Sequence, residues 1–388
     1  MIKFGWRDSL LYPSLFILFI FIRRLAKLIL EIYYPEIKLS YLMITFVFVF
    51  ELIAALLLLW NQNRKNKSAI KPKFLGIALI KNESLLDRPD SNFKIIVLII
   101  FSSYFEIAGA LSRRNVSSGN NSIYDEFHAK FRSIEIILAS ILCYFTLKNK
   151  IYKHHRFALI IIFICLIIVV LSAVLLEDEK IIFFQNFFYT ISSSLCRVFL
   201  DLVEKYLYEV DFLDIYKVMI FESIIDFIIS INYFWLEVPR KEIDTILTIN
   251  DRLKLFYIIG LLMLYTILSG IKNVYRRLTV KKFTPMTRAL AESILDPIFI
   301  IIGYANTSEK DELTTIYFII TLICSLIMVF NSCVYNEVFV LYFCDMEKNT
   351  HLAIAKQNNS QGSLELSKNY EYNPEEDEDE DEEEVNKK

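Results

Sequence analysis

Runs of roughly twenty apolar residues follow one another along this chain, and few folds can house them. A run of that length, wound as a helix, crosses a hydrocarbon layer about 30 Å thick while pairing its own backbone donors and acceptors. The strict two-residue alternation of a membrane β-barrel is missing. The blocks therefore read as transmembrane helices. Composition agrees: 55% of the 388 residues are hydrophobic, 32 are phenylalanine and only 8 are glycine, with a mean hydropathy of +0.42. Such a chain is an integral membrane protein rather than a soluble globular domain.

Ten spans can be marked, at roughly 9–32, 39–60, 93–113, 129–147, 156–176, 181–203, 212–235, 253–274, 284–304 and 313–337. Pro35 and Glu36 break the chain between the first two. The connection 61–92 is the longest, and the others are short. The first block, Leu10–Ile22, follows Lys3 and Arg7 but runs on through Arg23, Arg24 and Lys27 without a small-residue cleavage pattern. It reads as a retained first span, not a signal peptide.

Loop charge assigns the sides, because Lys and Arg gather in cytosolic loops. The 61–92 loop carries Arg64, Lys65, Lys67, Lys71, Lys73, Lys81 and Arg88. The turn after span 4 carries Lys148, Lys150, Lys153 and Arg156, and span 8 is followed by Arg276, Arg277, Lys281 and Lys282. Alternate connections are acidic or mixed: Glu177, Asp178 and Glu179 before Lys180, then Glu309, Lys310, Asp311 and Glu312. The alternation predicts that both termini are cytosolic. Glycosylation triplets beginning at Asn115, Asn120 and Asn306 fall in the predicted non-cytosolic regions. An endomembrane of Golgi, lysosome or vacuole type is expected rather than the plasma membrane.

The acidic end stands apart. Glu371 and the run 375–384 hold 11 of the 45 acids; without the last 18 residues, Lys and Arg outnumber Asp and Glu by 40 to 34. A run of like charge repels itself and cannot form a core, so 346–388 is expected to be a disordered cytosolic tail. It is either a solvated end or a handle for a protein partner.

Enzyme motifs are missing: there is no GxSxG, HExxH, Walker A or GxGxxG pattern. The six cysteines form no CxxC pair, and His154 and His155 sit in a basic turn as expected solvated residues. No enzyme activity, cofactor, metal or nucleic-acid partner is expected, since membrane orientation accounts for the basic residues.

Ionised side chains inside the spans carry the functional signal, because charge at membrane depth is costly and turns towards the bundle interior, a partner or water. The candidates for a substrate cavity or gate are Arg24, Glu51, Glu106, Arg132, Glu135, Arg197, Asp201, Glu222, Asp226, Arg288, Glu292 and Asp296. Glu204 and Glu337 lie in or at the end of spans as well. Arg23, Arg24 and Lys27 either snorkel to an interface or face a polar interior. Arg197 and Asp201, four apart, suggest an ion pair within span 6. Glu222 and Asp226, also four apart, either join helices or line a cavity and accept protons. Asp296-Pro297 should interrupt span 9, since proline removes a ladder hydrogen bond.

The chain also repeats itself weakly. GALSRRNV followed by FHAKFRSIEIIL, from span 3 onward, parallels SGIKNVYRRLTV followed by FTPMTRALAESIL, from span 8 onward. Arg132 and Glu135 in span 4 correspond to Arg288 and Glu292 in span 9, each pair on one helical face. These arginines serve as gate charges or as substrate anchors. Spans 1–5 and 6–10 would be repeats, and an odd number of crossings inverts the second half relative to the first.

Four stretches are similar to the drug/metabolite transporter superfamily, within it the nucleotide-sugar-transporter-like solute carrier 35 group and its F branch. They are 127–162, 203–228 with Phe221-Glu222, 284–299, and 329–350 with Tyr335-Asn336-Glu337. The similarity can be laid over about 10–345, with Ser133 and Ser223 where the pattern has glycine. It implies an all-α polytopic membrane protein of ten transmembrane helices in two inverted five-helix repeats, 1–176 and 177–345, with cytosolic termini. It also implies transport of a small solute; with the repeat and the intramembrane charges, the expectation is secondary transport or exchange, by alternating access, of a small metabolite, anionic or neutral. The alternative is a non-transporting scaffold or assembly subunit that keeps the fold.

Overall fold

The computed structural model describes residues 11–33, 41–65, 89–117, 129–146, 151–176, 180–209, 213–237, 252–306 and 312–339. They form eleven helices: α1 (Leu11–Tyr33), α2 (Tyr41–Lys65), α3 (Pro89–Ser117), α4 (Ser133–Thr146), α5 (Lys153–Leu176) and α6 (Lys180–Glu209), then α7 (Ile215–Glu237), α8 (Arg252–Lys282), α9 (Pro285–Ser293), α10 (Asp296–Asn306) and α11 (Glu312–Tyr335). No strand occurs among the described residues. The acidic tail, most of the 61–92 loop, the Glu177–Glu179 turn and the glycosylation triplet at Asn120 lie outside them.

The distribution of polarity is the reverse of a water-soluble protein's. Leu57, Phe93, Phe145, Leu175 and Ile181 are more than half exposed, whereas Glu51, Glu135, Glu204, Glu222, Asp226 and Arg277 are wholly buried. Apolar groups on the outside and charges within suit a hydrocarbon solvent. Among the described residues, five helical stretches are long and apolar enough to cross a membrane: Thr45–Arg64, Phe93–Arg113, Lys153–Leu175, Arg252–Lys282 and Glu312–Tyr335. The protein is an all-helical, membrane-embedded chain.

The helices depart from the expected spans where charge or proline intervenes. Span 9 is two helices. Thr284 caps α9 by accepting the Thr287 N–H at 3.2 Å, with Pro285 in the first turn, where its missing donor costs nothing. The helix stops at a turn over Ile294 and Leu295, and α10 resumes at Asp296. Pro297 has no N–H to return to Ser293, so the break falls where the ladder is interrupted. Span 8 does not end at 274 but runs to Lys282, because buried acids receive Arg276 and Arg277 and the helix need not stop at them. Its last carbonyls are capped from α6, where Lys205 Nζ donates to Lys281 O at 3.1 Å and to Phe283 O.

Packing pairs α1 with α8 and α3 with α6, α2 with α7, α5 with α11 and α4 with α9; α8 also packs on α2, and α7 on α3. Stacked rings serve the first two pairs, Phe19 on Tyr275 at 5.3 Å and Phe105 on Phe199 at 5.2 Å. Gly270 brings α8 against the backbone of α2: a Cβ there would lie 3.2 Å from the Glu51 nitrogen and 3.3 Å from the Phe50 carbonyl carbon. α5 and α11 hold an apolar cluster with Ile162, Val169, Cys324 and Met328, joined by Phe131 and Phe183. The charged side chains occupy the space between the other helices.

Candidate functional site

α8 supplies the hub. Along its second half the buried residues recur in twos and threes, Leu268 to Gly270, Lys272 to Val274, Arg276 and Arg277, Thr279 and Val280. Spacing of three to four residues puts them on one face, which turns inward. The Arg277 guanidinium meets four carboxylates from four other helices. Nε donates to Glu204 Oε1 at 2.9 Å, Nη2 donates to Glu106 Oε2 at 3.1 Å and lies 3.0 Å from Glu222 Oε2, and Nη1 donates to Glu51 Oε1. Arg276 grips Glu204 with both terminal nitrogens, at 2.6 and 3.0 Å, and donates to Asp201 Oδ1 at 2.8 Å. Asn273 Nδ2 donates to Glu51 Oε2 at 2.9 Å and Glu106 Oε1 at 3.3 Å, and the Ser102 hydroxyl donates to Glu222 Oε1. These bonds fix the carboxylates at spacings that their mutual repulsion would otherwise widen.

Asp201 passes the network on. Its Oδ2 accepts from Arg288 Nε at 2.6 Å, and Arg288 Nη1 donates to Glu135 Oε2 at 2.7 Å. Arg197 Nη1 donates to Glu292 Oε2 at 2.6 Å and Glu135 Oε1 at 3.0 Å. Arg132 Nη1 donates to Glu292 Oε2 at 3.3 Å, and its Nε lies 3.4 Å from Asp296 Oδ1. Arg24 closes the line, 3.6 Å from Asp296 Oδ1 with its Cζ 4.4 Å from the Phe299 ring centre. One connected set of ion pairs thus reaches from α1 to α7 through α2, α3, α4, α6, α8, α9 and α10.

The set has two lobes of opposite balance. Around Arg276 and Arg277 stand Glu51, Glu106, Glu204 and Glu222, with Asp226 one turn beyond Glu222, so acids exceed bases. Around Glu135, Glu292 and Asp296 stand Arg24, Arg132, Arg197 and Arg288, so bases exceed acids. Asp201 joins the lobes. The acid-rich lobe suits a proton or small cation, and the base-rich lobe suits an anion.

All twelve sequence candidates are buried here or, for Glu106 and Arg197, nearly so. Eleven are in the ion-pair set. Asp226 is the exception: it is wholly buried, and neither carboxylate oxygen has a hydrogen-bond partner. The expected partners changed. Arg197 and Asp201 do not pair within α6; Arg197 turns to Glu135 and Glu292, and Asp201 to Arg276 and Arg288. The reason is competition, since i,i+4 neighbours on a helix meet only at the ends of long side chains, whereas facing helices offer each group two partners of opposite charge. Arg24 reaches inward instead of snorkelling. Arg23 beside it donates to the Tyr265 hydroxyl at 3.2 Å.

Sequence reasoning missed Arg276 and Arg277, which loop charge assigned to a cytosolic turn, and left Glu204 and Asn273 out of the site. The signal was present in the pairwise spacing of polar residues from 269 to 277, a helical period that a loop does not keep. His154 and His155 are also not solvated. Both are buried, with His154 Nε2 3.2 Å from Glu337 Oε1, and the three residues offer ligand atoms within 4.8 Å of one another, close enough to consider a metal ion. His155 Nδ1 accepts the Tyr152 N–H at 3.2 Å, which leaves the proton on its Nε2 and makes that ring a poor ligand as it stands.

A scan of the chain against models of protein families finds no match, and neither does a search of curated proteins.

Proposed function

We propose that the protein is a secondary transporter or exchanger for a small anionic metabolite, built as two inverted five-helix halves around the buried ion pairs. The observation that carries this reading is a crossed exchange of partners. Arg132 of the first half pairs with Glu292 of the second, while Arg288 of the second pairs with Glu135 of the first. The sequence repeat makes Arg132 equivalent to Arg288 and Glu135 to Glu292, so the two pairs map onto each other when the halves are exchanged.

Helix packing supports the same exchange. Counting α9 and α10 as one span, α1 corresponds to α6, α2 to α7, α3 to α8 and α5 to α11. The α1–α8 contact then maps onto α6–α3, α2–α8 onto α7–α3, and α2–α7, α4–α9 and α5–α11 onto themselves. Two halves that swap conformations interconvert an outward-open and an inward-open form of nearly equal energy, which is the basis of alternating access. The base-rich lobe gives a solute its purchase. A carboxylate or phosphate that replaces Glu292 or Glu135 on Arg132, Arg197 and Arg288 keeps those guanidiniums paired while the displaced glutamate turns to water in the cavity that opens, so no buried charge is stranded. Binding and gate opening are one event.

The reading also keeps both termini cytosolic, on an endomembrane. Lys281 and Lys282 are exposed at the end of α8, so loop charge still favours that side after Arg276 and Arg277 are removed from the tally. The resemblance to the solute carrier 35 group agrees with this function. A second reading, a scaffold that retains the architecture, draws on the saturation of the network, since each guanidinium in it already faces a carboxylate.

Counterflow in liposomes separates the two readings. The full chain is reconstituted and loaded with unlabelled pools of nucleotides, sugar phosphates and dicarboxylates, and uptake of the labelled pool is followed. Uptake above empty vesicles for at least one pool is expected. Its absence for every pool, in protein shown to be folded, overturns transport, and a partner co-purifying in mild detergent then supports the scaffold.

A further inference from the structure

Among the described residues, eight of the nine carboxylates buried in this interior lie within ion-pair distance of an arginine. Asp226 does not. It is wholly buried at the middle of α7, its two oxygens accept no hydrogen bond, and the Ser223 hydroxyl one turn before it is likewise without a partner. α7 packs on α2, α3 and α8. The charged groups on those helices that act on Asp226 electrostatically include Glu51, Glu106 and Arg277, together with Glu222 on its own helix. Arg277 is already shared among four carboxylates. A ninth negative charge here would have three like charges around it and no water, a cost far above what an aspartate can bear when a proton can neutralise it.

The geometry points to Asp226 as the binding site for a proton that is exchanged with the solute during the transport cycle. This rests on the transporter reading and names its coupling ion. Glu222 and Asp226 are four residues apart, so they share a face and are separated by about 6 Å along the axis. A slide of α7 by one turn past α8 brings Asp226 to the place of Glu222 beside the Arg277 guanidinium, which stays on Glu51, Glu106 and Glu204. The O–H bond of Asp226 then breaks, its proton passes to water on the side that has opened, and the carboxylate left behind pairs with Arg277. The reverse slide returns Glu222 to Arg277, and Asp226 takes a proton from the other side. One proton moves per cycle with no other covalent change.

Two measurements on the full chain in lipid test it. Infrared spectra at neutral pH are expected to contain the C=O stretch of a protonated carboxylic acid that disappears in Asp226→Asn, a substitution of equal shape that keeps the site neutral. In proteoliposomes loaded with pyranine and clamped with valinomycin, an outward proton gradient, acid inside, is expected to raise accumulation of the anionic pools several-fold. Asp226→Asn is expected to abolish that gradient response. Identical carboxylic-acid bands in the two proteins overturn the assignment. Counterflow that proceeds in wild type but ignores the proton gradient, or follows a sodium gradient instead, overturns the proton while leaving transport intact. Absence of any counterflow overturns transport and the coupling together.

Discussion

The two lobes of the buried network are built from the same kinds of residue and differ in how those residues are shared. In the acid-rich lobe one guanidinium, Arg277, serves four carboxylates. In the base-rich lobe one carboxylate, Glu292, serves three guanidiniums, those of Arg132, Arg197 and Arg288. The first arrangement has no spare cation, so loss of its hub strands several acids at once. The second has cations to spare, so a carboxylate can leave if another anion arrives. On the proposed transport reading, the first lobe would serve structure and proton chemistry and the second solute exchange.

The largest expected effect breaks the first lobe. Arg277→Leu leaves Glu51 and Glu222 without an arginine and Glu106 and Glu204 with Arg276 alone, and removal of one partner of a buried pair costs about 3–5 kcal/mol. The variant is expected to lose its monodisperse peak in size-exclusion chromatography, and a normal peak with an unchanged melting temperature would refute the hub. The base-rich lobe should respond differently. Arg132→Ala or Arg288→Ala is expected to lower counterflow by roughly tenfold or more while yield falls less, since each neighbouring acid keeps a second arginine. Restored counterflow in a charge swap of Arg132 with Glu292 would sharpen the comparison, and additivity of the two single changes would deny their coupling.

Smaller effects test how the hub is held. Gly270→Leu drives a side chain into the α2 backbone at Glu51, and overpacking of this kind costs about 1–3 kcal/mol. A lowered melting temperature is expected, with Gly260→Leu as the control, because a Cβ at Gly260 meets nothing within 4 Å. The smallest change is expected for Arg23→Ala. Its contacts are a hydroxyl and the face of the Tyr265 ring, 5.5 Å from the guanidinium carbon, so about 0.5–1 kcal/mol is at stake. A melting-temperature drop as large as that of Arg24→Ala would mean that Arg23 belongs to the network.

Much of this was legible from residue order. The membrane blocks, the proline break at Asp296-Pro297 and the set of charges at membrane depth all follow from local chemistry. The twelve charges read as functional are buried or nearly so. What failed was assignment of partners. Arg197 and Asp201 have the spacing of an internal pair, yet both turn to other helices. Arg276 and Arg277 look like a cytosolic anchor because two adjacent arginines after an apolar run usually are one. Only the presence of Glu204, Glu51, Glu106 and Glu222 around them makes burial affordable. His154 and His155 were misread for the same reason, since Glu337 reaches them from the far end of the chain.

The sequence by itself determined the solvent of this protein and the segments that meet it, because transfer of a twenty-residue apolar helix into hydrocarbon is a property of that segment alone. It also determined which charges must be hidden. The tertiary structure alone decided which of them neutralise one another and which acid is left over. Coulomb energy at short range depends on distance and direction between groups far apart in the chain, and neither is written in the spacing along any one helix.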